Sequence, residues 1–228
     1  MRASRRRPEG RLYPEHTTLG RGDVRYTHWM SRLVLVLTAA LALTASAGAQ
    51  TTTWQIDPNH TAAQFSVRHL GISTVRGAFT KVSGSVTYDP ANPGKTLIDV
   101  TIDANSMDTR VEMRDNDLRS PNFFDAAKFP TLTFKSKRTE ADGPGKLKVT
   151  GDLTIHGVTK EVALDVDGPS APMKDPRGNQ HMGASATTKI NRQDFGVSAD
   201  KGMVGDDISI TIDVELVQSL PQIGRAHV

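Results

Sequence analysis

The segment 208–216 reads ISITIDVEL and alternates apolar with polar residues at every step. Successive side chains of a β-strand point to opposite faces, so this spacing predicts a strand with one buried and one solvated face. The same alternation recurs upstream, in 64–69, 98–104, 131–135, 147–155 and 161–166. One pattern repeated over most of the chain predicts an all-β fold.

Turn signals separate these segments, at 89–94, 142–145 and 156–159. Short connections between long strands favour antiparallel pairing. The interruption at 106–128 predicts a helical insert near 107–128. We expect Asp108 or Thr109 to cap its first helix, and Ser120 followed by Pro121 to open a second.

Residues 51–217 contain no linker-like stretch, and we interpret them as one domain of seven or eight strands. Such a sheet buries its apolar face either by packing as a sandwich or by closing into a barrel. Alternation is common to both architectures and leaves the choice open.

Both ends of the chain differ from this domain. Residues 30–49 combine one cation, an apolar run from Leu33 to Leu43 and a small-residue cleavage site, which predicts a signal peptide cleaved after Ala49 and export to the periplasm. Residues 1–29 are interpreted as a leader produced by a start codon assigned too early. Residues 218–228 are interpreted as a tail without function, and 223–228 resemble a translated sequencing adapter; an ordinary frayed terminus is the alternative.

Charge and cysteine content exclude several classes of function. The whole chain has a formal net charge of +3, but residues 50–228 carry 20 Lys and Arg against 22 Asp and Glu, which gives about −2. This balance gives no support to nucleic-acid binding. The absence of cysteine excludes disulfides, thiolate metal sites and cysteine nucleophiles.

Several motifs between residues 53 and 217, in order along the chain, resemble those of the YceI family. They are WQIDPNHT (54–61), FSVRHLG (65–71), VRGAF (75–79), RDNDLRS (114–120), GDLTIHGVT (151–159) and INRQDFGV (190–197). The resemblance implies a lipocalin-like antiparallel β-barrel of about eight strands. It also implies an exported protein that encloses a polyisoprenoid or isoprenoid-quinone molecule for carriage, storage or sensing, without enzyme activity or a cofactor.

Two alternatives remain open beside this function. The family's association with membrane b-type cytochromes makes an interaction module for such a cytochrome one of them. A small hydrolase or isomerase using the same pocket is the other. The oligomeric state is left open.

In a barrel that binds lipid, the inner layer of the core is also the wall of the pocket. We therefore expect ligand contacts from residues on the apolar faces of the strands and from the aromatic residues: Phe65, Val67, Val100, Ile102, Phe123, Phe124, Phe134, Leu153, Leu164, Phe195, Ile210 and Ile212. Arg114 and Arg192 lie in recognised motifs beside aromatic residues. We expect them to act as loop clamps or salt bridges, with contact to a ligand headgroup as the alternative.

The remaining polar residues give weaker signals. His60, His69, His156 and His181 show no metal-ligand spacing, and we expect no metal site. Asp115 and Asp117 are interpreted as partners of nearby arginines, not as catalytic acids. The sequence contains no nucleophile-elbow, P-loop or dinucleotide-binding motif, so no catalytic residue is predicted.

Overall fold

The structure, a computed structural model, describes residues 52–218. The predictions for 1–49 and for most of the tail lie outside these residues. The described part contains twelve strands and one α-helix, α1 (Glu112–Arg119). The strands are β1 (Thr52–Ile56), β2 (Ala62–His69), β3 (Ser73–Phe79), β4 (Val82–Tyr88), β5 (Leu97–Asp103), β6 (Met107–Asp108), β7 (Thr131–Ala141), β8 (Lys146–Ile155), β9 (Val158–Asp167), β10 (Met173–Lys174), β11 (Gln180–Asn191) and β12 (Val204–Gln218).

Eight of the strands form a closed ring, in which every pairing is antiparallel. Around the ring the order is β1, β12, β11, β9, β8, β7, β5 and β4, and β4 pairs with β1 again. Closure leaves these strands without an open edge. The all-β prediction and the lipocalin-like barrel of about eight strands are confirmed.

A large bulge bends the wall between β1 and β2, which follow one another along the same edge of β12. Ile56 lies opposite Leu216 and Ala62 lies opposite Asp213, so the five residues 57–61 oppose only two residues of β12. The backbone N–H of Asp57 donates to the carbonyl of Glu215 at 2.9 Å within this bulge. Beyond the bulge, β2 continues along β12 and pairs on its other edge with β3 as a hairpin.

The insert contains one helix, and the prediction of a second is wrong. Residues 121–124 form turns, and the N–H groups of Phe123 and Asp125 both donate to the carbonyl of Ser120, at 3.1 and 2.9 Å. Asp125 has a φ of +45°, which takes the chain out of the right-handed helical region.

The predicted helix cap is also wrong. The N-cap of α1 is Val111, whose side chain makes no capping bond. The Asp115 carboxylate instead accepts hydrogen bonds from the N–H and hydroxyl of Thr109, which ties the first turn back to the preceding loop. This local bonding takes the place of the cap predicted at 108 or 109.

The core lies inside the ring and extends under the insert. Trp54, Phe79, Met107, Phe195 and Leu216 are all at most 6% exposed. Among residues 52–218, no helix is long and apolar enough to cross a membrane.

Candidate ligand-binding cavity

The barrel encloses a cavity of about 230 Å³. Its wall runs the length of the ring, from Tyr88, Pro169 and Ala184 to Val67 and Val204 near the other end. Forty of the described residues line it, and Arg192 is the only one of these that carries a formal charge. A cavity with such a wall favours an apolar occupant.

All twelve apolar residues expected to contact the ligand lie on this wall: Phe65, Val67, Val100, Ile102, Phe123, Phe124, Phe134, Leu153, Leu164, Phe195, Ile210 and Ile212. The strand register explains how they come together. Val100 lies directly opposite Phe134, which in turn lies opposite Leu153 on the next strand. A row of inward side chains therefore crosses three strands. Their role in binding remains a prediction.

Aromatic residues from the insert pack against the bend in the wall. The rings of Phe65 and Phe79 have centroids 5.8 Å apart, and the Phe124 ring contacts Phe79 edge-on at the same distance. Phe123 is 5% exposed and also lines the cavity. The insert thereby supplies part of the cavity wall.

Sequence reasoning missed the wall residues of two strands. Ala184, Ala186, Thr188 and Ile190 of β11 line the cavity, as do Val82 and Val86 of β4. The period-two pattern is present at 182–190, but its inward residues are mostly small and resemble a polar loop. These small side chains leave space inside the ring.

Arg192 reaches the wall but directs its donors into a loop. Its Nε donates to the Gly205 carbonyl at 3.0 Å, and one terminal nitrogen donates to the carbonyls of Val197 and Ala199 at 2.9 and 2.7 Å. The other donates to the Val204 carbonyl at 3.0 Å and lies 3.4 Å from an Asp206 oxygen.

Four of the five N–H donors of this guanidinium therefore have backbone carbonyl partners, and the nitrogen that bears the fifth lies 3.4 Å from Asp206. This geometry favours the loop clamp. Contact between Arg192 and a headgroup stays a prediction.

Arg114 lies outside the cavity wall. Its Nε and one terminal nitrogen donate to the hydroxyl and the carbonyl of Thr109, both at 2.7 Å. The same hydroxyl donates to Asp115, which is 7% exposed. Arg114 thus holds the loop that precedes α1, and it contacts Asp115 through Thr109 and not by the direct ion pair that we expected.

A chain of alternating acids and histidines covers the outside of the wall at the bulge. His60 Nδ1 lies 2.9 Å from Asp57 Oδ2 and 4.0 Å from Glu215 Oε2. On the other side of Glu215, His181 Nδ1 lies 2.7 Å from Oε1, and its Nε2 lies 3.4 Å from Asp175. Ligand atoms of Asp57, His60 and Glu215 all lie within 4.8 Å of one another.

These contacts shift the protonation of the histidines. The hydrogen bond to Asp57 raises the pKa of His60, and the hydrogen bond to Glu215 raises the pKa of His181. The hydrogen bond from His60 in turn lowers the pKa of Asp57. Sequence spacing could not reveal this group, because its members lie up to 158 residues apart. The expectation that the chain holds no metal stays a prediction.

The sequence and the fold match known proteins over most of the described region. Protein YceI of Escherichia coli O157:H7 is 36% identical over 191 residues, which are 83% of this chain and 99% of that protein. The crystal structure of the Campylobacter jejuni YceI protein is 37% identical, has a TM-score of 0.60 and covers 67% of this chain and 90% of its own.

A more distant structure is described as a polyisoprenoid binding domain from Saccharophagus degradans implicated in plant cell wall breakdown. It shares the fold with a TM-score of 0.54 at 16% identity, and covers 75% of this chain and 100% of its own. The family model of the YceI-like domain matches residues 54–216. The chain therefore belongs to the YceI-like family.

Proposed function

We propose that this protein is an exported, non-catalytic binding protein that encloses a polyisoprenoid or isoprenoid-quinone molecule in its barrel for carriage, storage or sensing. The observation that carries the proposal is the apolar wall of the cavity. Arg192, the one charged residue among the described residues of this wall, donates hydrogen bonds to four backbone carbonyls and lies 3.4 Å from Asp206. The domain from Saccharophagus degradans described as polyisoprenoid-binding has the same fold, which supports the class of ligand.

Two polar side chains on the wall, Thr61 and Thr96, form hydrogen bonds with the backbone. The Thr61 hydroxyl accepts from the Glu215 N–H at 3.2 Å, and the Thr96 hydroxyl donates to the Pro93 carbonyl at 2.6 Å. Burial of apolar surface is then the main source of affinity, worth about 0.8 kcal/mol per methylene. Shape and length, more than polar groups, would select the ligand.

The same energetics favour a carrier over a permanent store. A bilayer interior is as apolar as the cavity, so the free energy gained on transfer from water is largely shared by both sites. A ligand held mainly by apolar contacts can therefore pass between the barrel and a membrane. In this setting a membrane b-type cytochrome that uses quinone is a proposed partner.

Mass spectrometry of an organic extract of the purified protein tests the function. We expect a prenyl lipid or isoprenoid quinone close to one per protein. Turnover of the extracted compound by the protein would instead support a hydrolase or isomerase. An empty barrel that captures a membrane cytochrome would support the interaction module.

A matched pair of variants locates the ligand. Val100 lines the cavity, whereas Thr101 is the next residue of β5 and is not part of the wall. Val100→Trp fills the cavity and should displace the lipid from a protein that remains folded. Thr101→Ser should keep both lipid content and melting temperature. A wild-type protein without lipid, whose Val100→Trp variant unfolds from overpacking that costs about 1–3 kcal/mol, would refute the proposal.

A further inference from the structure

Three apolar side chains are exposed together at the end of the β2–β3 hairpin. Leu70, Ile72 and Met203 are 52%, 80% and 48% exposed, and we call them the apical patch. The Leu70 N–H donates to the Met203 carbonyl at 2.7 Å, which joins the hairpin turn to the loop before β12. Isolated exposed apolar residues are ordinary, but three on adjoining turns need an explanation.

The backbone at Leu70 makes this residue choice costly. Leu70 and Gly71 have φ values of +52° and +70°, and the Ile72 N–H donates to the His69 carbonyl at 3.1 Å across the turn. A two-residue turn with two positive φ angles favours Asn followed by Gly, and a bulky residue is disfavoured at its first position. Leucine is strained here and half exposed, so the folded chain alone gives little reason for it.

Two cations lie close to the apical patch along the chain. Arg68 and Lys201 lie within two residues of it along the chain, and no carboxylate does. The Arg68 guanidinium donates to the Gly71 carbonyl at 2.6 Å and to the Thr74 hydroxyl at 2.9 Å, which holds its charge at the turn. Asp200 and Asp206 each lie three residues from Met203 along the chain, and Asp206 lies 3.4 Å from Arg192.

The apical patch lies at the end of the barrel where Val67 and Val204 line the cavity. Val204 lines the cavity and directly follows Met203 in the chain. Val67 lines it as well, and at the rise of a strand Leu70 lies about 10 Å further along. A surface in contact with the patch would therefore face this end of the barrel.

We propose that the apical patch docks the barrel onto the surface of an anionic lipid bilayer. Leu70, Ile72 and Met203 enter the interface between headgroups and acyl chains, and Arg68 and Lys201 contact the lipid phosphates. The inference rests on the proposed function, because it names the surface through which the barrel would exchange its ligand. The strained exposed leucine, the clustered apolar side chains and the local cations all fit this partner.

Vesicle flotation tests the proposal with the full chain, in whatever processed form the expressing cells yield. The vesicles contain either phosphatidylcholine alone or equal parts of phosphatidylcholine and phosphatidylglycerol. Ile72→Ser should lower the partition coefficient on the anionic vesicles about tenfold. Lys201→Gln should lower it about fivefold on the anionic vesicles only.

Leu70→Asn separates docking from folding, because asparagine tolerates the positive φ. We expect weaker vesicle binding with a melting temperature equal to or above that of the wild type. Leu97→Asn is the matched control, because Leu97 is 59% exposed at the start of β5, outside the patch, and its loss should leave vesicle binding unchanged. All forms share the residues outside the substituted position, so differences between them report on that position.

Wild-type protein that does not float with anionic vesicles, or patch variants that float as it does, would overturn the proposal. A concentration-dependent dimer in sedimentation, lost in Ile72→Ser, would instead assign the patch to a second copy of this chain. Lipid content measured on the same samples distinguishes failure of the docking surface from failure of the proposed lipid-binding function. Patch-dependent flotation of a barrel that holds no lipid would refute the proposed function and leave the docking surface standing.

Discussion

Replacing Arg192 with methionine should destabilise the fold without removing a ligand contact. The side chain is 4% exposed and donates four hydrogen bonds to the carbonyls of Val197, Ala199, Val204 and Gly205. Methionine keeps an apolar stem of similar length but donates nothing, so these carbonyls lose a charged partner in a poorly solvated place.

The expected loss follows from these bonds. A hydrogen bond to a charged group contributes about 1.5–3 kcal/mol, and the loop at 197–205 can relax and admit water, so Arg192→Met should lower the free energy of unfolding by about 4–6 kcal/mol. Domains of this kind have about 5–15 kcal/mol in total. The variant should therefore unfold at much lower urea concentration. The free energy of unfolding of Arg192→Lys should lie between those of the wild type and Arg192→Met, because an ammonium group offers three donors in place of five.

Urea unfolding followed by tryptophan fluorescence measures this effect, since Trp54 is 4% exposed in the core. Lipid per folded protein is measured in parallel and should equal that of the wild type. An Arg192→Met protein of wild-type stability would refute the clamp. If that protein had also lost its lipid, the headgroup role of Arg192 would be supported instead.

Three further outcomes are expected. The free energy of unfolding should fall as pH rises above about 6.5, because the hydrogen bond to Glu215 raises the pKa of His181 in the folded state. The protonated ring stabilises the folded protein, and this contribution is lost as pH rises through the folded pKa. His181→Gln should therefore flatten this part of the pH profile. Gly84→Ala should lower the free energy of unfolding by roughly 3 kcal/mol in chemical denaturation, because φ is +144° and a Cβ would lie 2.1 Å from the Asp99 carbonyl oxygen. A variant of wild-type stability would show that β4 and β5 approach each other less closely at this position. N-terminal sequencing of periplasmic protein should begin at Gln50, directly after Ala49; a mature chain that retains residues 5–7 would contradict export by this signal peptide.

The strands that the sequence predicted are those with strong contrast between their faces. The segment 98–104 alternates Ile98, Val100 and Ile102 with polar residues, and β5 was predicted to within one residue at each end. The strand β11 alternates too, but Ala184 and Ala186 bury little area and produce a weak signal. A strand can therefore be recognised from the sequence when large aliphatic residues on one face alternate with polar residues on the other.

The insert shows where local signals mislead. Ser120 and Pro121 form a common helix start, yet Asp125 has a positive φ and Phe123 lies on the cavity wall. Tertiary packing of the aromatic side chains overrides the weak local preference for a short helix. The predicted cap at 108 or 109 was wrong because Asp115, within the helix, accepts a hydrogen bond from the Thr109 N–H.

The sequence by itself determined which side chains share a face, because a period of two follows directly from strand geometry and needs no knowledge of the partner strand. The nine predicted wall residues on strands therefore lie on one surface, and Phe123, Phe124 and Phe195 reach it from outside the strands. Only the tertiary structure decided that this surface closes on itself, that the donors of Arg192 are consumed by a loop, and that His181 meets Glu215 outside the bulge. These features depend on which distant strands pair and in what register, and many pairings bury nearly the same apolar area, so local alternation cannot distinguish between them.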